Sequence, residues 1–242
     1  MCTVTFSPRR SGYALAMNRD ETFTRIAGLP PRSWKMNGRT VLCPAEPGGG
    51  TWISVNDTGT TLALINWYAV GEQVKGRGVS RGEVVNTTGI AHTPGLVAEA
   101  LARLPLPEIN PFRLIGIFPA TNEIIEWRWD LKKLASKRHH WSLQQWISSG
   151  FDEPAAQRVR GRVFQHARRQ KSAANLDWLR RLHRSHLPES GPFSTCMHRQ
   201  DAATVSYTEI VVSPHKAVMR YHAGAPCRCS DHSVHRLSRL NF

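Results

Sequence analysis

The sequence predicts an α+β fold of antiparallel sheets covered by helices, and three observations carry that reading. Period-two stretches rich in β-branched and apolar residues come in pairs joined by short turns, as hairpins do. Amphipathic helical stretches fall between groups of these pairs rather than after each strand. The order strands, helices, strands, helices, strands therefore lacks the βαβ alternation of a doubly wound parallel sheet.

Each element has its own signal. Cys2 to Phe6 alternates as a strand, Ser7 to Gly12 is a turn, and Tyr13 to Met17 returns. Pairing across a six-residue turn sets position 17 or 18 opposite position 1 or 2, with Asn18, Arg19 and Asp20 just beyond. Thr51 to Asn56 and Thr60 to Asn66 form a second hairpin through Asp57-Thr58-Gly59. Ser80-Arg81-Gly82-Glu83 has the spacing of a capping box, and Thr93-Pro94 opens a helix with Leu96, Ala100, Leu101 and Leu104 on one face. Phe112 to Phe118 and Glu123 to Trp129 make a third hairpin. Two amphipathic helices follow, one from Pro154 using Val159, Val163 and Ala167, the other using Leu176, Leu179 and Leu182, with arginines on their polar faces. Thr204 to Val212 and Lys216 to His222 close the chain as a last antiparallel pair.

Composition bounds the rest. With 242 residues and 40% hydrophobic content, the chain can bury one substantial core, and residues 1–242 are read as a single domain ending in a flexible basic tail, 226–242. No run of about 18 apolar residues suggests a membrane span and no signal-peptide pattern opens the chain, so a cytoplasmic location is expected. Five scattered cysteines argue against a disulfide framework. The net charge of +14 is concentrated, with 13 basic residues against three acidic ones between Lys132 and Arg184. Without an aromatic platform or a recognised module, that segment is read as the solvated face of surface helices rather than a nucleic-acid site.

The most reactive feature is Cys2, directly behind Met1. Removal of Met1 leaves a thiol and a free α-amine on one residue, a nucleophile with its own base. An amine near pKa ~8 can take the proton of a thiol near ~8.5 without a large shift in either group. Asn18-Arg19-Asp20-Glu21 stands close by through the hairpin.

Met1-Cys2, Asn18-Arg19-Asp20-Glu21, Gly49-Gly50-Thr51-Trp52 followed by Asn56 and Gly59, Leu64-Ile65-Asn66, Ser80-Arg81-Gly82 and Asn110-Pro111-Phe112 occur in the order seen in the NRDE family, which includes the Transport and Golgi organisation 2 group. The chain resembles that family, which itself looks like a branch of the N-terminal-nucleophile hydrolases. The resemblance implies a four-layer αββα sandwich with the nucleophile at the start of a central strand. It points as well to cysteine amidases such as penicillin V acylase and bile salt hydrolase, and it implies roles. Cys2 attacks an amide or thioester carbonyl, Asp20 holds the freed α-amine, and Arg19 keeps the thiolate populated. Asn66 is either an oxyanion donor or a strand cap. Asn18 fixes the bend, Glu21 pairs with Arg19 or Arg81, and Arg81 faces the site. Arg199 is the counterpart of an arginine that precedes the last hairpin in relatives, where this chain instead carries Ser194-Thr195-Cys196-Met197-His198. There His198 is either a proton shuttle or simply hydrogen bonded.

Cys227, Cys229, His232 and His235 form a compact set of possible metal ligands, but the Cys-x-Cys spacing is tighter than zinc sites use, and no metal or other cofactor is assigned. The expected partner is a small amide, acyl or anionic ligand. Two functions follow: hydrolysis of a linear C–N amide or acyl thioester through Cys2, or non-catalytic binding and trafficking of a haem-, acyl-CoA- or lipid-related ligand in the same pocket.

Overall fold

The first hairpin is tighter than its sequence suggests. In the computed structural model, which describes residues 2–76 and 78–240, β1 (Cys2–Arg9) and β2 (Gly12–Thr22) are joined by Arg10 and Ser11 alone. Gly12 at φ +102° allows this turn, because a side chain there would collide with the Val212 carbonyl. The register becomes Cys2 opposite Arg19 and Thr3 opposite Asn18, so Arg19 shares a face with the thiol.

Around this pair lies an antiparallel sheet in the order β10-β1-β2-β11-β12-β13, with β10 at Gln144–Ser148, β11 at Ala202–Val212, β12 at Lys216–His222 and β13 at Ser233–Ser238. A second antiparallel sheet runs in chain order: β3 (Leu29–Met36), β4 (Arg39–Ala45), β5 (Ile53–Asn56), β6 (Thr61–Asn66), β7 (Phe112–Phe118), β8 (Glu123–Trp129) and β9 (Leu134–His139). The two sheets face each other across Val4, Phe6, Leu15, Met17, Ile53, Val55, Ile65, Ile115 and Ile117, all fully buried. On the outer face of the second sheet, α1 (Gly82–Thr88) and α2 (Pro94–Ala102) bury Val84, Val85, Val97 and Leu101 against Leu64 and Leu114. On the outer face of the first, α3 (Glu153–Ala167) and α4 (Leu176–Arg184) bury Phe164, Trp178, Leu179 and Leu182 against Ala14, Ala16 and Tyr207. The result is the four-layer αββα sandwich.

Three local expectations are corrected. Ser80 and Glu83 do not form a capping box: Ser80 Oγ accepts from the Gly82 N–H at 3.2 Å, and Glu83 accepts from Asn86. The most buried residues of α3 include Ala155, Ala156, Arg160 and Phe164; Val163 and Ala167 are only partly buried against the same core, and one arginine of the supposed solvated face points inward. Leu96, expected on the buried face of α2, is exposed. The basic tail contributes β13, paired to β12 from Ser233 to Ser238; Asn241 and Phe242 lie outside the described residues.

Candidate active site

Cys2 begins β1, a central strand flanked by β2 and β10, and is buried against the inter-sheet core. Burial pushes its thiol above the ordinary value, Asp20 and Glu21 push the same way, and Arg19 opposes them. The thiol is therefore protonated at neutral pH and needs a base. Met1, whose removal would supply the α-amine, lies outside the described residues.

Arg19, directly across the hairpin, is buried in a polar and aromatic clamp. Its guanidinium lies 4.4 Å from the Trp52 ring centroid, and Nη2 donates to Glu46 at 2.8 Å and Glu21 at 3.4 Å. Arg25 bridges the same two carboxylates at 2.7 and 3.2 Å. Glu21 thus pairs with Arg19 and Arg25, and its alternative partner Arg81 instead donates to the Pro111 carbonyl at 3.3 Å.

Asp20 is fully buried on the opposite face of β2. One oxygen accepts from Thr204 Oγ1 at 2.7 Å and the other from Arg160 Nη1 at 3.2 Å. Asp20 is the next residue along β2 after Arg19, the partner of Cys2. Asn66 ends β6, and its Nδ2 donates to the Tyr68 hydroxyl at 2.7 Å.

Cys2, Arg19, Asp20, Glu21, Asn66 and Arg81 line one cavity of about 240 Å³, with Trp52, Arg25 and Glu46 completing its wall. Asn18 does not reach it. Its amide donates to the carbonyls of His183 and Thr195 at 2.9 and 2.8 Å, which ties α4 to β2. Arg199 is also elsewhere, paired with Asp201 at 2.7 Å and stacked on Phe151 at 4.5 Å. The tail quartet is not assembled: Cys229 Sγ bonds the Asp231 carbonyl, His232 meets Arg220 and Ser230, and His235 meets Ser233. His198 does not reach the Cys2 cavity; it contacts Cys196, Cys227 and His186.

Arg160 and Thr204, which hold Asp20, had no signal in the sequence, because they arrive from α3 and β11 and look like an ordinary helix arginine and strand threonine. Trp52 belongs to the Gly49-Gly50-Thr51-Trp52 motif, but nothing local in the sequence connects it to Arg19. A larger cavity of about 530 Å³ next to α3 contains Arg113 and Arg128, but both already pair with buried Glu126, and no nucleophile lines it.

Two facing antiparallel sheets, each covered on its outer face by helices, give the chain the fold of the N-terminal-nucleophile hydrolases. Solved structures agree. A mutant conjugated bile acid hydrolase from Clostridium perfringens superposes with a TM-score of 0.60 at 10% identity, covering 100% of this chain and 97% of that one. Penicillin V acylase from Agrobacterium tumefaciens gives 0.53 at 10% identity, covering 92% and 83%. The chain belongs to the Transport and Golgi organisation 2 family, whose profile matches residues 1–124. That match spans both β1–β2 and the Gly49 to Trp52 wall, and it ends before α3. No curated protein matches the chain by sequence at a significant level. No helix among the described residues is long and apolar enough to cross a membrane.

Proposed function

We propose that this chain is an N-terminal cysteine hydrolase acting on a linear C–N amide or an acyl thioester. Once Met1 is removed, Cys2 Sγ attacks the substrate carbonyl while its proton passes to the α-amine. The C–S bond forms, the amine or thiol leaves with that proton, and water then releases the acyl group, returning the thiol. Asp20 orients the α-amine. Arg19, held by Glu21 and stacked on Trp52, places positive charge beside the sulfur. Asn66 is the oxyanion donor, its amide turning from Tyr68 towards the carbonyl oxygen; such a donor is typically worth roughly 3 kcal/mol of barrier. Arg81 receives an anionic end of the substrate, since the one hydrogen bond of its guanidinium among the described residues goes to a backbone carbonyl.

The observation that carries this reading is the shared cavity of Cys2, Arg19 and Asp20, delivered by one hairpin. The test is intact mass spectrometry, to establish whether Met1 is gone, together with turnover of a chromogenic amide and acyl-CoA series by wild type, Cys2→Ala and Cys2→Ser. Turnover lost in both variants supports hydrolysis. Ligand binding by wild type without any turnover favours the second reading, a binding or trafficking protein, for which the two carboxylates already paired with Arg19 speak.

A further inference from the structure

Away from the Cys2 cavity, two cysteines and two histidines converge. His186 follows α4, Cys196 and His198 lie on the approach to β11, and Cys227 follows β12. One ligand-type atom from each lies within 4.8 Å of every other. His198 Nε2 is the vertex, with His186 Nε2 at 3.2 Å, Cys227 Sγ at 3.3 Å and Cys196 Sγ at 3.7 Å.

Hydrogen bonding does not account for that vertex. A neutral imidazole nitrogen carries either one proton or one lone pair in the ring plane, so it can serve one of these three partners well. A shared cation satisfies all of them. Zinc with Zn–N near 2.05 Å and Zn–S near 2.3 Å has tetrahedral edges of about 3.3 Å between nitrogens and about 3.6 Å between nitrogen and sulfur. The three separations from His198 Nε2 sit around those edges. Two thiolates also balance the charge of Zn²⁺, so the neighbouring Arg228 does not oppose occupancy.

We propose that His186, Cys196, His198 and Cys227 form a structural Cys2His2 zinc site that clamps two loops, α4–β11 and β12–β13, behind the Asp20 wall. With four protein ligands the sphere is closed, which leaves no position for catalysis. The clamp connects to Asp20 through few atoms: the Met197 N–H, between two ligands, donates to Thr204 Oγ1 at 2.8 Å, and that hydroxyl donates to Asp20 at 2.7 Å. The ligands are scattered as His-x9-Cys-x-His-x28-Cys, so only the fold brings them together. The site does not depend on whether Cys2 is a nucleophile.

The experiment measures metal in tag-free protein purified without added chelator. The expected result is one zinc per chain in the wild type and in Cys229→Ser and His232→Ala. Zinc is lost in Cys227→Ser, His198→Ala and Cys196→Ser. Replacing the metal with Co²⁺ in the wild type should give the intense visible bands of a tetrahedral site with thiolate-to-cobalt charge transfer, a readout that survives if buried Cys196→Ser fails to fold. The proposal is overturned by metal-free wild-type protein that gives no such spectrum, by a Cys196–Cys227 disulfide found in peptides of protein purified under reducing conditions, or by zinc that follows Cys229 and His232 instead.

Discussion

Arg160 Nη1 lies 3.2 Å from Asp20 Oδ2, with both side chains fully buried. The same Nη1 donates to Thr3 at 2.8 Å and Nη2 to the Pro192 carbonyl at 3.2 Å, so a helix arginine ties β1, β2 and a loop at one point. Removing one partner of a buried pair strands the other's charge, which typically costs about 3–5 kcal/mol. Arg160→Leu should lower stability by that order in urea denaturation. Adding Asp20→Asn should recover part of the loss; a fully additive double variant would show that the two groups do not interact.

His183 supplies an acid-sensitive joint between α4 and the first sheet. Asn18 spends its amide hydrogens on two carbonyls, so its oxygen must accept from His183 Nδ1–H at 3.0 Å, leaving Nε2 to accept from Thr5 Oγ1 at 2.9 Å. Burial, helped by the Arg160 charge, pushes the imidazole down to about 3. A depressed histidine contributes stability that is fully present above its unfolded value near ~6.5 and is lost as pH falls towards the folded value. In that window its contribution to the slope should approach ~1.4 kcal/mol per pH unit. Denaturation midpoints measured from pH 7 downward should fall less steeply for His183→Gln than for wild type; parallel curves would remove His183 from the account.

How far these features could be read in advance depends on how local their causes are. The hairpins β1–β2, β5–β6, β7–β8 and β11–β12 are written in adjacent residues, and three of their strands, Phe112–Phe118, Glu123–Trp129 and Lys216–His222, match the expected bounds to the residue. By contrast, β3 carries two prolines and mostly exposed side chains, and β9 reads Leu-Ala-Ser-Lys-Arg-His; both are sheet edges, where solvent contact erases the apolar signal. The same distinction governs the site. Cys2, Arg19, Asp20 and Glu21 share one hairpin and were legible together, and motif residues Asn66 and Arg81 reach the same cavity. Arg160 and Glu46 meet them only through packing of distant elements.

Cys2 should respond to the state of the chain terminus. Because burial raises its thiol, little thiolate exists at neutral pH unless a neighbouring amine accepts the proton. A variant with one extra residue ahead of Cys2 keeps the thiol and loses the α-amine at that position. Its alkylation at pH 7 should be roughly 10-fold slower than that of processed protein, the equivalent of one pKa unit, and should accelerate as pH rises past the ordinary thiol range. Equal rates in the two forms would dismiss the amine as base.

Arg19 should separate stability from ligand handling. Arg25 keeps both Glu21 and Glu46 partnered when Arg19 is removed, and an apolar side chain fills the space beside Trp52. Arg19→Met should therefore change folding stability by no more than about 1 kcal/mol, since replacing a buried charge by a packed apolar group is often near neutral. Substrate turnover, or retention of an acyl or anionic ligand, should drop. Arg19→Lys should not restore it, because an ammonium cannot both stack on the indole and reach two carboxylates. A large loss of stability in Arg19→Met would instead mark the clamp as structural.

Gly82 offers the sharpest test of how the far wall of the cavity is held. A Cβ at Gly82 would lie 2.7 Å from Gly50 Cα and 2.9 Å from the Thr51 nitrogen, and one at Gly50 would lie 2.9 Å from Gly82 Cα. Every obstructing atom there is backbone, so no side chain can swing aside. The Thr51 N–H donates to the Gly82 carbonyl at 3.3 Å across the same contact, which joins the Trp52 segment to the start of α1 beside Arg81. Gly82→Ala must separate the two segments, at a cost of about 1–3 kcal/mol for overpacking. It should lower Tm and, in protein that still folds, move Trp52 away from Arg19, seen as altered tryptophan emission and slower Cys2 labelling. A Gly82→Ala protein with unchanged Tm and labelling would mean that this backbone contact does not set the cavity wall.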